Sequence, residues 1–355
     1  MRDPLIAPIA ALSKASEPLA NLLAFPVLPL HVHEVVASAL FYTFIHVIAS
    51  PVLSSYFFPK YYPKHSRSKK ANWDAHVVSL VQSTIINILA LWVMFTDKER
   101  QTMDWEQRVW GYTGASGMIQ ALACGYFVWD LITTIINIDI FGLGLLAHAV
   151  SALVVYSFGF RPFLNFYSPV FILYELSTPF LNVHWFFDKL NMTGSKAQLY
   201  NGIALLATFA SCRLVWGSYQ SVLVYIDMWK AVHSAPAAGY IAAGYSNVTS
   251  LADPDANMAT YVAGASPIPV WLALLYVGSN IVLNTLNWHW FFKMITAVRK
   301  RFDPPKEAAQ KEKVVVDGAV ATGTNEKPGL VRRRQHSIIQ DVVPDSQELR
   351  EGTIQ

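Results

Sequence analysis

Four side chains able to carry charge lie where the chain is otherwise apolar: Asp130, His148, Glu175 and Arg213. Their types suit acyl transfer inside a membrane. A histidine, with a free pKa of about 6.5, can act as base toward an amine or alcohol. Glu175 or Asp130 can orient that imidazole, and Arg213 can hold a phosphate or a developing negative charge. The same residues have a second reading without chemistry, as a polar lining that grips a lipid headgroup. Arg213 has a third, as one half of a helix-packing ion pair with Glu175 or Asp130. His148, Glu175 and Asp130 are therefore the candidate catalytic residues. Arg213, Asn182, Tyr126 and Gln220 are the candidate substrate-binding residues.

The stretch from Tyr174 to Asp188 organises these candidates. It is apolar overall, yet carries Glu175, Pro179, Asn182 and His184. An ionisable group at the bilayer centre costs roughly 2.5–3.5 kcal/mol or more, so such groups face a bundle interior or a wet cavity. Proline at that depth is tolerated where a neighbour satisfies the freed backbone carbonyl. The stretch reads as a broken or kinked helix lining a cavity; the alternative is a helix end at the headgroups. Tyr126, Asp130 and Asn137, at i, i+4 and i+11, fall near one helical face. Arg213, Gln220 and Asp227, at i, i+7 and i+14, read as one polar stripe, with Trp216 near it.

Composition says what must position them. Of 355 residues, 53% are hydrophobic and only 14% charged, where a soluble chain carries about 25% charged. Several apolar runs approach 20 residues, enough to cross a bilayer. The fold class is all-α: a polytopic membrane protein of about seven transmembrane helices bundled around a central cavity. Cys124 and Cys212 both sit in apolar segments and read as packing residues. Residues 1–30 are a proline-punctuated lead-in rather than a cleavable signal, because Pro4, Pro8, Pro18, Pro26 and Pro29 interrupt any apolar core. The first span then serves as its own insertion signal.

Seven spans are expected, at about residues 35–58, 77–95, 114–137, 142–160, 166–187, 199–229 and 268–295. His31, His33 and Glu34 open the first as an interfacial cluster; two histidines two apart diverge on a helix. The basic loop 60–70 belongs on the cytoplasmic side, and Tyr61, Tyr62 and Trp73 suit the headgroup layer. Loop 96–108 is mixed in sign, as a non-cytoplasmic loop allows. A tight turn around Asp139 separates spans three and four. Asn280, Asn284 and Asn287 form a polar seam on span seven. The N-terminus is expected outside, the C-terminus inside, and the sequon at Asn247 outside; the second sequon, Asn191, falls inside. Ser337, after an arginine run, is a kinase-target pattern in a polar tail expected to be disordered. The chain divides into 1–30, the lead-in; 31–72, first helix and basic loop; 73–297, the main transmembrane domain; and 298–355, the tail.

Taken together, Trp73-Asp-Ala-His-Val-Val-Ser79, Gly125-Tyr-Phe-Val-Trp-Asp130, His148 and Glu175-Leu-Ser-Thr-Pro-Phe-Leu-Asn182 resemble the TLC-domain family. That membrane domain is shared by ceramide synthases and translocating-chain-associated membrane proteins. The resemblance covers roughly residues 73–290 and is nearest to the uncharacterised TLC-domain branch. It implies a helix bundle in the endoplasmic reticulum around a lipid-sized cavity. In ceramide synthases a histidine pair with downstream aspartates carries N-acylation of a sphingoid base by acyl-CoA. Here Ala147-His148-Ala149 leaves one histidine of that pair, and Tyr174-Glu175 replaces a histidine-aspartate.

The functional expectation is a protein of lipid homeostasis that binds a membrane lipid within the bilayer. The alternatives are a lipid acyltransferase with His148 as base and acyl-CoA as co-substrate, or a protein-translocation helper. No resident cofactor and no metal are expected, for want of a phosphate-binding glycine loop, Cys/His metal spacing or nucleophile-elbow serine. The basic residues flank membrane spans, so nucleic acid is not an expected partner. A homodimer is one assembly the sequence allows.

Overall fold

A computed structural model describes residues 1–5, 7–161, 163–233 and 268–302, with side chains through residue 299. The expectations for Asn247, Ser337 and the tail beyond residue 302 lie outside the described residues.

Among the described residues six helices are long and apolar enough to cross a bilayer. A short helix, α1 (Ala10–Leu23), precedes them. They are α2 (Leu28–Phe57), α3 (Arg67–Thr96), α4 (Gly114–Ile136), α5 (Ile138–Phe158), α7 (Lys196–His233) and α8 (Val270–Arg299). The expected fifth span is not one such helix. It is a short turn of helix, Ser168–Phe171, a 3₁₀ stretch, Ile172–Ser177, and then α6 (Thr178–Lys189). The connections still require it to cross. Leu164 N donates to Val109 O at one end of the bundle. At the other, Arg67 reaches Asn137 and Asp139 in the α4–α5 turn. Among the described residues the count is thus six long helices, α5 kinked at Gly142, and one span broken into short pieces.

Local chemistry sets the helix ends. Ser66, Thr113 and Ser195 cap α3, α4 and α7 by accepting from the backbone N–H of Lys69, Ser116 and Gln198. Asp104 and Gln107 cap a short loop helix, Trp105–Trp110, reciprocally. Pro29 and Pro179 stand in the first turns of α2 and α6, where a missing N–H costs nothing. Pro51 falls inside α2, and the helix answers with a wide π-type turn over Ile45–Ala49. The expected Asp139 turn is present: Gly142, at φ 75° and ψ 173°, breaks the backbone where a side chain would be strained.

Packing between spans follows membrane rules, with close backbones and polar links. A methyl group at Gly125 of α4 would collide with Val35 O and Ser38 of α2, and Ser38 donates to Leu122 O at 2.7 Å. Trp73 donates to Ser54 at 2.9 Å, and Ser50 to the buried Asp74 at 2.6 Å, tying α3 to α2. Lys70, from the basic loop's border, also pairs with Asp74 at 2.8 Å. On α8, Asn280 accepts from Tyr225 at 2.6 Å and Asn284 donates to Ser221 at 3.0 Å, so the asparagine seam does link helices. Outward surfaces carry Leu40, Val47, Ile88, Phe95, Ile136 and Leu274, all exposed, as lipid-facing positions should be.

Loop 96–113 is folded rather than open. Arg100 donates twice to Phe166 O, at 3.2 and 3.1 Å, and lies 4.2 Å from that residue's ring centre. Burial lowers its pKa to about 10, with the Asp97 carboxylate opposing that shift. Arg108 and Tyr167 converge on Asp227 at 2.7–2.9 Å. Among the described residues these contacts close this end of the bundle.

Candidate intramembrane site

A cavity of about 280 Å³ lies between α3, α4, α5, α6, α7 and α8. Its wall is mostly apolar, from residues such as Phe141, Leu145, Leu181 and Leu286. Into it face Asp130, His148, Glu175, Arg213, Asn182 and Tyr126. Asn72, His289 and Lys293 line it near the end of the bundle where Arg67 meets Asp139.

The broken span explains the centre of this arrangement. Pro179 has no N–H to give the carbonyl four residues back, which belongs to Glu175. That carbonyl accepts instead from the Thr178 backbone N–H, in a 3₁₀ bond, and from Asn87 of α3 at 2.8 Å. The backbone therefore passes from 3₁₀ turns into α6 without an orphaned acceptor. Glu175 is left at the cavity wall, 9% exposed. Asn87 carried no signal of its own in the sequence; only its pairing with a proline on another span reveals its role.

Arg213 sits in a second wide turn, Ala210–Trp216 of α7. It donates to Ser177 at 3.1 Å, Thr178 at 2.9 Å and Asn287 at 3.0 Å. Glu175 Oε1 is 3.6 Å from Nη2, so Glu175, not Asp130, is its ion-pair partner. Phe209 lies beneath the guanidinium at 5.1 Å.

The expected Arg213–Gln220–Asp227 stripe does not form one site. The wide turn holds one residue more than an ideal helix and so rotates Arg213 by about 100° relative to the residues beyond it. Asp227 is taken by Arg108 and Tyr167 at the closed end. Gln220 is buried but does not line the cavity.

His148 faces the cavity and packs against Trp290, ring centres 5.6 Å apart. Among the described residues, neither His148 nor Asp130 has a hydrogen-bond partner, so the expected orienting bond from Glu175 or Asp130 to the imidazole is not made. Tyr126 packs edge-on against Tyr42 and stacks with Trp129. Asn182 accepts from His76 at 2.7 Å and donates to Ser79 at 3.1 Å, pinning α6 to α3.

His76 is a second cavity imidazole. It falls one residue outside the expected second span, but α3 begins ten residues before the apolar run that marks that span. His76 stacks on Trp185 at 4.0 Å, rings 20° from parallel. The His31–His33 pair opens the first span, as expected. His31 lies in the first turn of α2, buried in the protein with Glu34 and Asp3 as neighbours.

Comparison with known proteins agrees with this architecture. The family model described as the TLC domain matches residues 72–296. An uncharacterised TLC domain-containing protein of Schizosaccharomyces pombe is 36% identical over 298 residues, 84% of this chain and 89% of the relative. Topoisomerase I damage affected protein 4 of Saccharomyces cerevisiae is 27% identical over 281 residues, covering 77% and 86%. Human TLC domain-containing protein 4 is 29% identical over 152 residues, 42% of this chain and 56% of the relative.

Proposed function

We propose that this chain, which belongs to the TLC-domain family, holds a membrane lipid in its cavity and serves lipid homeostasis in the endoplasmic reticulum. One observation carries the reading: a single cavity joins an apolar wall to a charged lining, as an amphipathic ligand requires. Asp130 and Glu175 offset Arg213 and Lys293 in formal charge, which favours a zwitterionic or neutral headgroup over a strongly anionic one. Lys60, Lys64, Lys69, Lys70 and Lys189 flank the end of the bundle nearest the cavity's Asn72 and Lys293. Positive-inside placement makes that end cytoplasmic, with the lead-in lumenal.

The test is lipid co-purification. The full chain, extracted in mild detergent, is analysed by native mass spectrometry and lipid extraction. Leu181→Trp fills the cavity wall and should remove the co-purified lipid. Leu274→Trp on the exposed face of α8 should keep it. Equal lipid content in both variants and the wild type sinks the proposal.

An acyltransferase reading has one observation in its favour: His148 and His76 both line the cavity. Acyl-CoA would be the co-substrate, and either imidazole the base for an amine or alcohol.

A further inference from the structure

At the closed end, remote from the cavity, three acceptor side chains converge. His31 Nδ1 lies 2.6 Å from Glu34 Oε2 and 3.4 Å from Asp3 Oδ2. One ligand atom from each residue falls within 4.8 Å of the other two. His31 is 1% exposed and Glu34 3%. The second oxygen of Glu34, Oε1, is buried with no hydrogen-bond partner. A buried carboxylate oxygen left unpaired is costly, and this one belongs to a residue of the cluster.

We propose that Asp3, His31 and Glu34 form a divalent-metal site of the Zn²⁺ or Mn²⁺ class, which fastens the start of the chain to α2. The donor set of one imidazole and two carboxylates suits such ions. Four donors at about 2.1 Å around one ion stand about 3.4 Å apart in a tetrahedron. The Asp3–His31 separation already has that value, and the Glu34–His31 pair needs to open by less than about 1 Å. Three protein ligands leave a position for water.

Tyr112 makes the imidazole switchable. Its hydroxyl packs against His31 Nε2, and a hydroxyl can donate or accept. With no ion, Nδ1 holds the ring proton and donates to Glu34. With an ion, the proton sits on Nε2, Tyr112 accepts it, and the Nδ1 lone pair is free for the metal. Such a partner on the second nitrogen is what metal-bound histidines use. The pocket is built for that contact: a methyl group at Gly117 would collide with both His31 Nε2 and the Tyr112 hydroxyl.

The test uses the full chain with a C-terminal tag, stripped with chelator in detergent and then given Zn²⁺ alone or Mn²⁺ alone. Mass spectrometry of bound metal should find one ion per chain after removal of free metal, and a rise in melting temperature. Asp3→Asn, checked for folding by gel filtration, should lose the ion and the thermal shift; Glu34→Gln provides the second ligand variant. A folded wild type that retains neither ion, or an Asp3→Asn variant that retains as much as wild type, overturns the site.

Discussion

Replacing Arg213 by leucine tests the core of the cavity. The substitution removes three hydrogen bonds, to Ser177, Thr178 and Asn287, and leaves Glu175 without its counter-charge. Breaking a buried pair by deleting one partner costs about 3–5 kcal/mol. Glu175 keeps 12% of its side-chain surface at the cavity, so the lower end, about 3 kcal/mol, is the value to expect. At 1.4 kcal/mol per tenfold, that is roughly a hundredfold shift toward the unfolded state. Part of the cost is the stranded carboxylate, so Arg213→Leu with Glu175→Gln should recover about 2 kcal/mol. Asp130→Asn in the same background should recover little, because the ion pair of Arg213 is with Glu175. The readout is unfolding of purified protein in one detergent, beside abundance in cells. Arg213→Leu costing under about 1 kcal/mol would refute the reasoning. Rescue by Asp130→Asn as complete as by Glu175→Gln would refute the assigned pairing.

Gly125→Leu should push α2 from α4 and cost about 3 kcal/mol or more, read as a lower melting temperature, because the first added carbon already meets Val35 O. Asp227→Ala leaves buried Tyr167 and Arg108 without their shared acceptor and should cost about 2 kcal/mol. Asp139→Ala breaks the exposed pair with Arg67 and should cost no more than about 0.5 kcal/mol; equal losses in the two variants would contradict the burial argument. His148→Ala, followed by lipid profiling of cells, should leave lipid composition without a specific product lost if the protein only binds lipid. Loss of one lipid with gain of its precursor, at unchanged protein level, would favour catalysis.

The spans were legible because oil-length apolar runs leave few alternatives, and the break at Pro179 was legible because proline removes a donor whatever surrounds it. The second donor to the freed carbonyl was not: Asn87 lies 88 positions from it, and one asparagine in an apolar run carries no direction. The polar stripe on α7 misled for a similar reason. Spacing by sevens assumes a uniform helix, and nothing in Ala-Ser-Cys-Arg-Leu-Val-Trp announces a wide turn. His76 was hidden by the boundary rule itself. A span drawn from hydropathy starts at the first apolar residue, whereas α3 starts at its cap, Ser66, and carries a polar first turn into the bundle. Asp3 was illegible because its neighbours come from chain folding back on itself.

The wide turn in α7 has a consequence for tolerance to deletion. A helix with one surplus residue can shed it there and close into ordinary i-to-i+4 bonding. Shortening α7 by one position within Ala210–Trp216 should therefore leave an intact rod of nearly the same span. The loss would be one of aim: the guanidinium would swing off the gap between Ser177 and Asn287, and Glu175 would face it empty-handed.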